Sequence, residues 1–288
     1  MQESKVTAAA FPVPPTAGLF RKAVGLAMWV PGFSFLATMM GTMLVVQRFV
    51  PSDRIEWLTR FYTSGQLKVL GTRVNYVVHP EIDPKRVYVF AQNHVNMIDH
   101  CTMYAGTSHF KQGMELASHF EVPFYGWFMK QRGTIPVAKD KRAAQRLHDS
   151  VRDEVARGHS ILVFPEGTRT RNGRVGPFKS GLLRIAHALE LPIVPVAVTG
   201  MFEVMRKGEP YVNPGLRVTV YMDRPVETKG VPLSELPKLI ESVQRTVAKR
   251  VDDFYGISGE EAVEHGVAQS RNGRDDARAV EVPSTRRA

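Results

Sequence analysis

An α/β domain preceded by an apolar helical segment is the fold this sequence predicts, and three observations predict it. From residue 73 onward, short β-rich runs alternate with longer helical ones, the order that builds a sheet covered by helices. Ahead of that alternation, Ala23 to Val46 holds no charged residue in 24 positions, with Arg21 and Lys22 before it and Arg48 after it. The chain has 288 residues, 43% hydrophobic and 23% charged, which suits one globular domain with tails and excludes wholesale disorder or a many-spanning membrane protein.

Taken in order, residues 1–16 are rich in Ala, Pro, Thr and Val without helical or strand period and are expected to form a loose leader. Residues 17–50 are expected to be a membrane-associating helical segment. As one straight helix, Ala23 to Val46 would reach about 36 Å against about 30 Å of hydrocarbon. Pro31-Gly32 argues against one straight helix, because proline lacks a backbone donor and clashes with the preceding turn. Two short helices are therefore predicted, one before Pro31 and one from Phe33 to about Phe49, dipping into one leaflet. Met, Trp and Phe fall on all sides of the run and leave no polar face, which favours lipid over a buried core position. A cleaved signal peptide is disfavoured by the length of the run and by the lack of a following Ala-x-Ala site.

Residues 51–256 are read as the domain. Strands are predicted at 74–78, 87–91, 135–137, 161–164, 193–198 and 217–221, where β-branched and aromatic residues cluster between turn signals. Helices are predicted at 97–106, 123–131, 140–157, 179–189 and 233–254. The tail, 257–288, holds six acidic and five basic residues, few large apolar ones and no period, and is expected to be disordered.

Charge narrows the partners without choosing one. Lys plus Arg is 38 and Asp plus Glu 28, giving +10, and the tail contributes none of the surplus. The folded part should attract nucleic acid, an anionic membrane surface or a phosphorylated substrate. The single cysteine, Cys101, excludes an intrachain disulfide and any CxxC metal or redox motif, and is read as a small buried side chain. The sequence contains no Gly-x-Ser-x-Gly, no His-Glu-x-x-His and no Walker loop, which argues against the serine hydrolases, zinc enzymes and nucleotide enzymes that use them.

Two constellations carry chemistry. His94-Val-Asn-Met-Ile-Asp99 follows the predicted strand 87–91, and the carboxyl ends of strands are where α/β sheets place ligands. Five steps along a helix turn about 140°, so His94 and Asp99 can meet only if His94 precedes the helix. Asn96 is expected to cap that helix, with Asp99 at its third position facing back to the imidazole. With nine His and eleven Asp in the chain, this spacing is a weak signal by itself. The second constellation, Phe164-Pro165-Glu166-Gly167-Thr168-Arg169, follows the predicted strand 161–164. Gly167 permits a tight backbone path, Thr168 offers a hydroxyl, and Arg169 presents a planar fork of donors suited to a phosphate. Glu166 should hold Arg169 or a substrate hydroxyl, since a carboxylate beside a phosphate costs energy. Lys179 leads into the next predicted helix, whose free amides would add to an anion site. Between Lys130 and Arg184, basic residues outnumber acidic ones by eight.

With these residues in view, the sequence resembles the glycerolipid acyltransferase family that includes lysophosphatidic acid acyltransferase. Four ordered blocks carry the resemblance: His94 to Asp99, Gly133-Thr134-Ile135-Pro136-Val137-Ala138-Lys139, Phe164 to Arg169, and Leu191-Pro192-Ile193-Val194-Pro195-Val196. Two positions depart from the family pattern. Lys139 stands where the family usually has Arg, and Gly113 and Met114, not a lysine, precede Glu115-Leu116. The resemblance implies a single domain with a central mixed sheet flanked by helices. It implies acyl transfer from an acyl thioester, acyl-CoA or acyl carrier protein, to the hydroxyl of a lysophospholipid, with lysophosphatidic acid giving phosphatidic acid as the expected case. His94 and Asp99 would be the catalytic pair, and Glu166, Gly167, Thr168, Arg169, Lys139 and Lys179 would bind substrate. No metal and no cofactor beyond the acyl donor is expected. The expected partner is a lipid bilayer, not nucleic acid, and the expected location is the cell membrane with the domain on its cytoplasmic face. Another lysolipid acceptor of the same reaction, and a noncatalytic lipid-binding protein, are the rival readings.

Overall fold

The protein is described here by a computed structural model covering residues 18–257 other than Lys139 and Lys141. The expected leader and all but the first residue of the expected tail lie outside the described residues, as does the Lys139 assignment.

The apolar segment forms α1 (Leu19–Ala27) and α2 (Trp29–Val46). Two helices were expected, but the break falls at Met28, not at Pro31-Gly32. Pro31 lies in the first turn of α2, where its missing N–H has no intrahelical acceptor to lose. Leu19–Val46 is long and apolar enough to cross a membrane, and only 17% of its most apolar window is buried. The buried part of α2 is a stripe, Gly32, Met39 and Met43. It packs with Ile55, Leu58 and Tyr62 and with Phe128 into a small core of its own. Ile55 ends a 3-10 turn, and Leu58 and Tyr62 belong to α3 (Glu56–Val69).

The domain continues as β1 (Arg73–Val78), β2 (Val89–Gln92), α4 (Asp99–Gly106), β3 (Lys111–Gln112), β4 (Met114–Leu116), α5 (Tyr125–Arg132), β5 (Ile135–Val137), α6 (Ala143–Ala156) and β6 (Ser160–Val163). It ends with α7 (Ser180–Ala188), β7 (Ile193–Thr199), α8 (Met201–Val204), β8 (Arg217–Met222) and α9 (Leu236–Tyr255). Six strands form one sheet in the order β1-β8-β7-β2-β6-β3, and β4 pairs with β5 in a separate parallel pair. All neighbours in the large sheet are parallel except β7 with β8, so the sheet is mixed.

Period-2 alternation divides the sheet residues between two cores. Phe90, Leu162, Val194, Val196 and Val220 face one side with Cys101, Met103 and Leu70. Val89, Ala91, Ile161, Val163, Ile193 and Ala197 face the other with Val151, Leu183, Val243 and Val247. The central strands are hydrophobic on both faces because helices cover both. The consequence for the site is positional. β2 lies between β6 and β7 and is parallel to both, with Val89 opposite Ile161 and Ile193. The loops that follow β2 and β6 therefore leave the sheet side by side.

Candidate active site

The loop after β2 carries His94. Its neighbour Asn93 exchanges two hydrogen bonds with β7, donating from Nδ2 to the Val198 carbonyl at 3.1 Å and accepting from Val198 N–H at 2.8 Å. His94 N–H donates to Glu166 Oε1 at 2.8 Å, and the His94 carbonyl accepts from Thr170 N–H at 2.8 Å. The second loop thus grips the backbone of the first on both sides of one residue. The ring of Phe164 stacks on the imidazole with centroids 4.3 Å apart.

His94 Nδ1 and Asp99 Oδ2 lie 2.8 Å apart. The same Oδ2 accepts the N–H groups of Val95 and Asn96, the latter at 3.0 Å. An ionised carboxylate can only accept, so with Asp99 ionised a neutral ring carries its proton on Nδ1 and leaves Nε2 as the acceptor. Asp99 is buried and the imidazole is 24% exposed, so the basic nitrogen is on the accessible member of the pair. Burial pushes the Asp99 pKa up, opposed by the His94 contact and the two backbone donors. The helix begins later than expected, with Asp99 its first residue. Asn96 does not cap it. Its Oδ1 accepts from Ile98 N–H at 3.0 Å and its Nδ2 donates to the Met201 carbonyl at 3.1 Å, which ties the His94 loop to the start of α8.

The loop after β6 forms the other half. Glu166 is buried, and its two oxygens are taken by backbone donors, His94 N–H and Gly176 N–H, both at 2.8 Å. It therefore holds the two site loops together and not Arg169, as the sequence had suggested. Burial pushes its pKa up to about 7, against those backbone donors. Gly167 has φ +66°, a conformation that favours glycine, and a Cβ there would meet the flexible end of the Lys179 side chain at 3.2 to 3.3 Å. Lys179 packs over this glycine and is not among the residues lining the adjacent cleft. That cleft, of about 340 Å³, is lined by Glu166, Thr168, Arg169, Arg171, Arg174 and Lys207 among others. Four cations thus line the cleft with a single carboxylate whose oxygens are both engaged, which makes it a positive hollow, joined to the His94 backbone through Glu166 and Thr170. Arg169 makes no ion pair among the described residues, and its carbonyl accepts from Lys207 Nζ at 3.2 Å.

The structure brings together His94, Asp99, Glu166, Thr168 and Arg169, with Gly167 and Lys179 at the margin. Arg171 and Arg174 were signalled only by the local basic surplus, Phe164 opens the second motif without a role assigned to it, and Lys207 was not signalled as a site residue. Cys101 is fully buried and burial pushes its thiol pKa well up, so it is no nucleophile. No cluster of His, Cys, Asp and Glu able to hold a metal ion occurs among the described residues.

Residues 73–199 match the family model described as Acyltransferase. The chain is 33% identical over 149 residues to a chloroplastic 1-acyl-sn-glycerol-3-phosphate acyltransferase of Brassica napus, covering 51% of this chain and 42% of that relative. It is 28% identical over 205 residues to a 1-acyl-sn-glycerol-3-phosphate acyltransferase of Saccharomyces cerevisiae, covering 66% of this chain and 63% of that one. The chain thus spans less than two thirds of the length of these relatives. Its fold is that of the crystal structure of the 1-acyl-sn-glycerophosphate acyltransferase PlsC from Thermotoga maritima, with a TM-score of 0.70 at 20% identity, covering 81% of this chain and 97% of that one.

Proposed function

We propose, from the match of residues 73–199 to the Acyltransferase model and the likeness to 1-acyl-sn-glycerol-3-phosphate acyltransferases, that this protein belongs to the glycerolipid acyltransferase family and transfers an acyl chain from an acyl thioester to the hydroxyl of lysophosphatidic acid, giving phosphatidic acid. One observation carries the reading: His94, hydrogen-bonded through Nδ1 to Asp99, is held at its backbone N–H and carbonyl by Glu166 and Thr170, which line a cleft together with Arg169, Arg171, Arg174 and Lys207. A phosphomonoester carries about −1.5 to −2 at pH 7, and the cleft would hold it while the acceptor hydroxyl approaches His94.

In the step this geometry supports, His94 Nε2 takes the hydroxyl proton as the oxygen attacks the thioester carbonyl. The carbon–sulfur bond then breaks, the thiolate recovers the proton from the imidazolium, and the ester remains. Asp99 fixes the tautomer and opposes the positive charge on the ring. A thiolate is a good leaving group, so no covalent enzyme intermediate is required. The donor thioester is acyl-CoA or acyl carrier protein, and no further cofactor enters the step. The apolar helices α1 and α2 and the positive net charge support a location at the cytoplasmic face of the cell membrane.

The test is incubation with oleoyl-coenzyme A and a panel of lysolipids, with mass detection of products. Thiol release that depends on lysophosphatidic acid supports the reading, and its loss in His94→Ala assigns the base. Lipid binding without transfer to any acceptor would make the protein a noncatalytic binder, and an active His94→Ala would remove the base assignment.

A further inference from the structure

Helix α1 reaches the positive cleft through one loop, residues 205–213, which follows α8. A Cβ on Gly25 would stand 2.0 Å from the Val212 carbonyl oxygen, so only glycine allows α1 to approach this closely. Val212 N–H donates to the Gly25 carbonyl at 3.3 Å, and Trp29 Nε1 donates to the Pro210 carbonyl at 2.7 Å. Lys22 Nζ lies 5.6 Å from the centroid of the Tyr211 ring. The far end of the loop is tied back to α8, with Asn213 N–H donating to the Val204 carbonyl and Asn213 Nδ2 to the Glu203 carbonyl, both at 2.8 Å. Between these anchors stands Lys207. Its Nζ donates to Thr168 Oγ1 and to the Arg169 carbonyl, each at 3.2 Å, and its side chain lines the cleft. An ammonium has three donors, and one remains after these two.

We infer that Lys207 binds the phosphate of the acceptor and that the N-terminal helices, through Gly25 of α1, Trp29 at the start of α2 and the 205–213 loop, position it. The inference deepens the proposed function and rests on that reading for the identity of the anion. Its physical content is that a flexible lysine on an untethered loop would lose side-chain and backbone entropy at each binding event. Here the loop is clamped by α1 and by Trp29 of α2, so the cation is already in place when these helices are seated. The residue that completes the cleft lies 38 positions beyond the Glu166 motif and is held by a segment at the other end of the chain.

Steady-state kinetics on the full chain in mixed micelles, with lysophosphatidic acid and oleoyl-coenzyme A, test both halves. Loss of one charge-assisted hydrogen bond predicts that Lys207→Ala raises the acceptor KM about tenfold or more, with kcat within about threefold. Lys207→Arg should recover most of it, and transfer to an uncharged acceptor, monoacylglycerol, should be unmoved by either change. Trp29→Phe keeps the ring area but removes the donor to Pro210. It should raise the acceptor KM by about threefold or more in the parent and leave it unchanged in the Lys207→Ala background, the non-additivity of two residues acting through one contact. An unchanged KM in Lys207→Ala overturns the binding role, and equal effects of Trp29→Phe in both backgrounds overturn the positioning role. If the parent protein transfers no acyl chain at all, the proposed function fails separately. Calorimetric binding of lysophosphatidic acid micelles then decides the site, with about tenfold weaker binding by Lys207→Ala supporting it and equal binding refuting it.

Discussion

Asp99→Asn separates the charge of the His94–Asp99 pair from its geometry. Oδ2 serves His94 Nδ1 and two backbone N–H groups, whereas Oδ1 is buried with no hydrogen-bond partner among the described residues. Asparagine can place its carbonyl where Oδ2 stands and its amide where Oδ1 stands. The opposite flip would press an NH2 group against the N–H groups of Val95 and Asn96, so the Nδ1–H tautomer survives. What disappears is a negative charge facing the imidazolium. Two unit charges about 4 Å apart at an effective dielectric of about 20 interact by about 4 kcal/mol, and each ~1.4 kcal/mol is tenfold in rate. The expected result is a fall in kcat of about 10³ with the acceptor KM within about twofold. Because burial disfavours the charged carboxylate, the neutral variant should melt within a few degrees of the parent. Initial rates at saturating acyl-coenzyme A, paired with thermal melts, give both quantities. A loss of less than about tenfold would refute the electrostatic role assigned to Asp99. A collapse of the fold would refute the statement that an amide fits at Oδ1.

Arg169→Ala should raise the acceptor KM at least about tenfold while sparing the uncharged acceptor, read by the same kinetics; an unchanged KM would remove Arg169 from phosphate binding. Glu166 has its pKa raised from 4.5 to about 7, so the folded protein binds its proton more tightly than the unfolded chain. Its contribution to stability should fall as pH rises from about 4.5 to 7 and level off above. Melting temperatures of parent and Glu166→Gln across that range should show a difference that declines with pH, and a constant difference would contradict the buried titration. Deleting α1 and α2 to test membrane contact would also uncover Ile55, Leu58 and Tyr62, so surface changes are the cleaner probe. Phe124 and Trp127 are exposed beside the end of α2, with ring centroids 5.1 Å apart. Phe124→Ser with Trp127→Ser should reduce co-sedimentation with vesicles of phosphatidylglycerol and phosphatidylcholine several-fold without lowering the melting temperature; undiminished binding would confine lipid contact to α1 and α2.

The sheet was legible because β-branched runs and period-2 alternation are local signals, and β1, β2, β5, β6, β7 and β8 fall where those runs predict strands. Helix α3 escaped because its buried face includes Thr59, Thr63 and Gln66, polar residues that blur an amphipathic stripe. β3 and β4 are two and three residues long, too short for any periodicity. The displaced break near Pro31 reflects a rule applied one turn too far along, since proline is harmless in a first turn. Within the site, His94, Asp99, Glu166 and Arg169 could be read because they sit in compact motifs at strand ends. Glu166's true partners could not, because a side chain accepting backbone N–H groups 72 and 10 residues away leaves no mark in composition. Lys207 was illegible for the same reason, since only the folded path of the 205–213 loop brings it to Thr168.

The parallel pairing of β2 with β6 has a consequence for how such a molecule can vary. The loops that carry His94 and Glu166 follow adjacent strands held in register by ladder hydrogen bonds, so the sheet sets where the two loops start. Within the joining stretch, the segment through α4 carries His94 and Asp99 and is fixed by the core, whereas length changes near the small β4–β5 pair would leave the β2–β6 pairing in place.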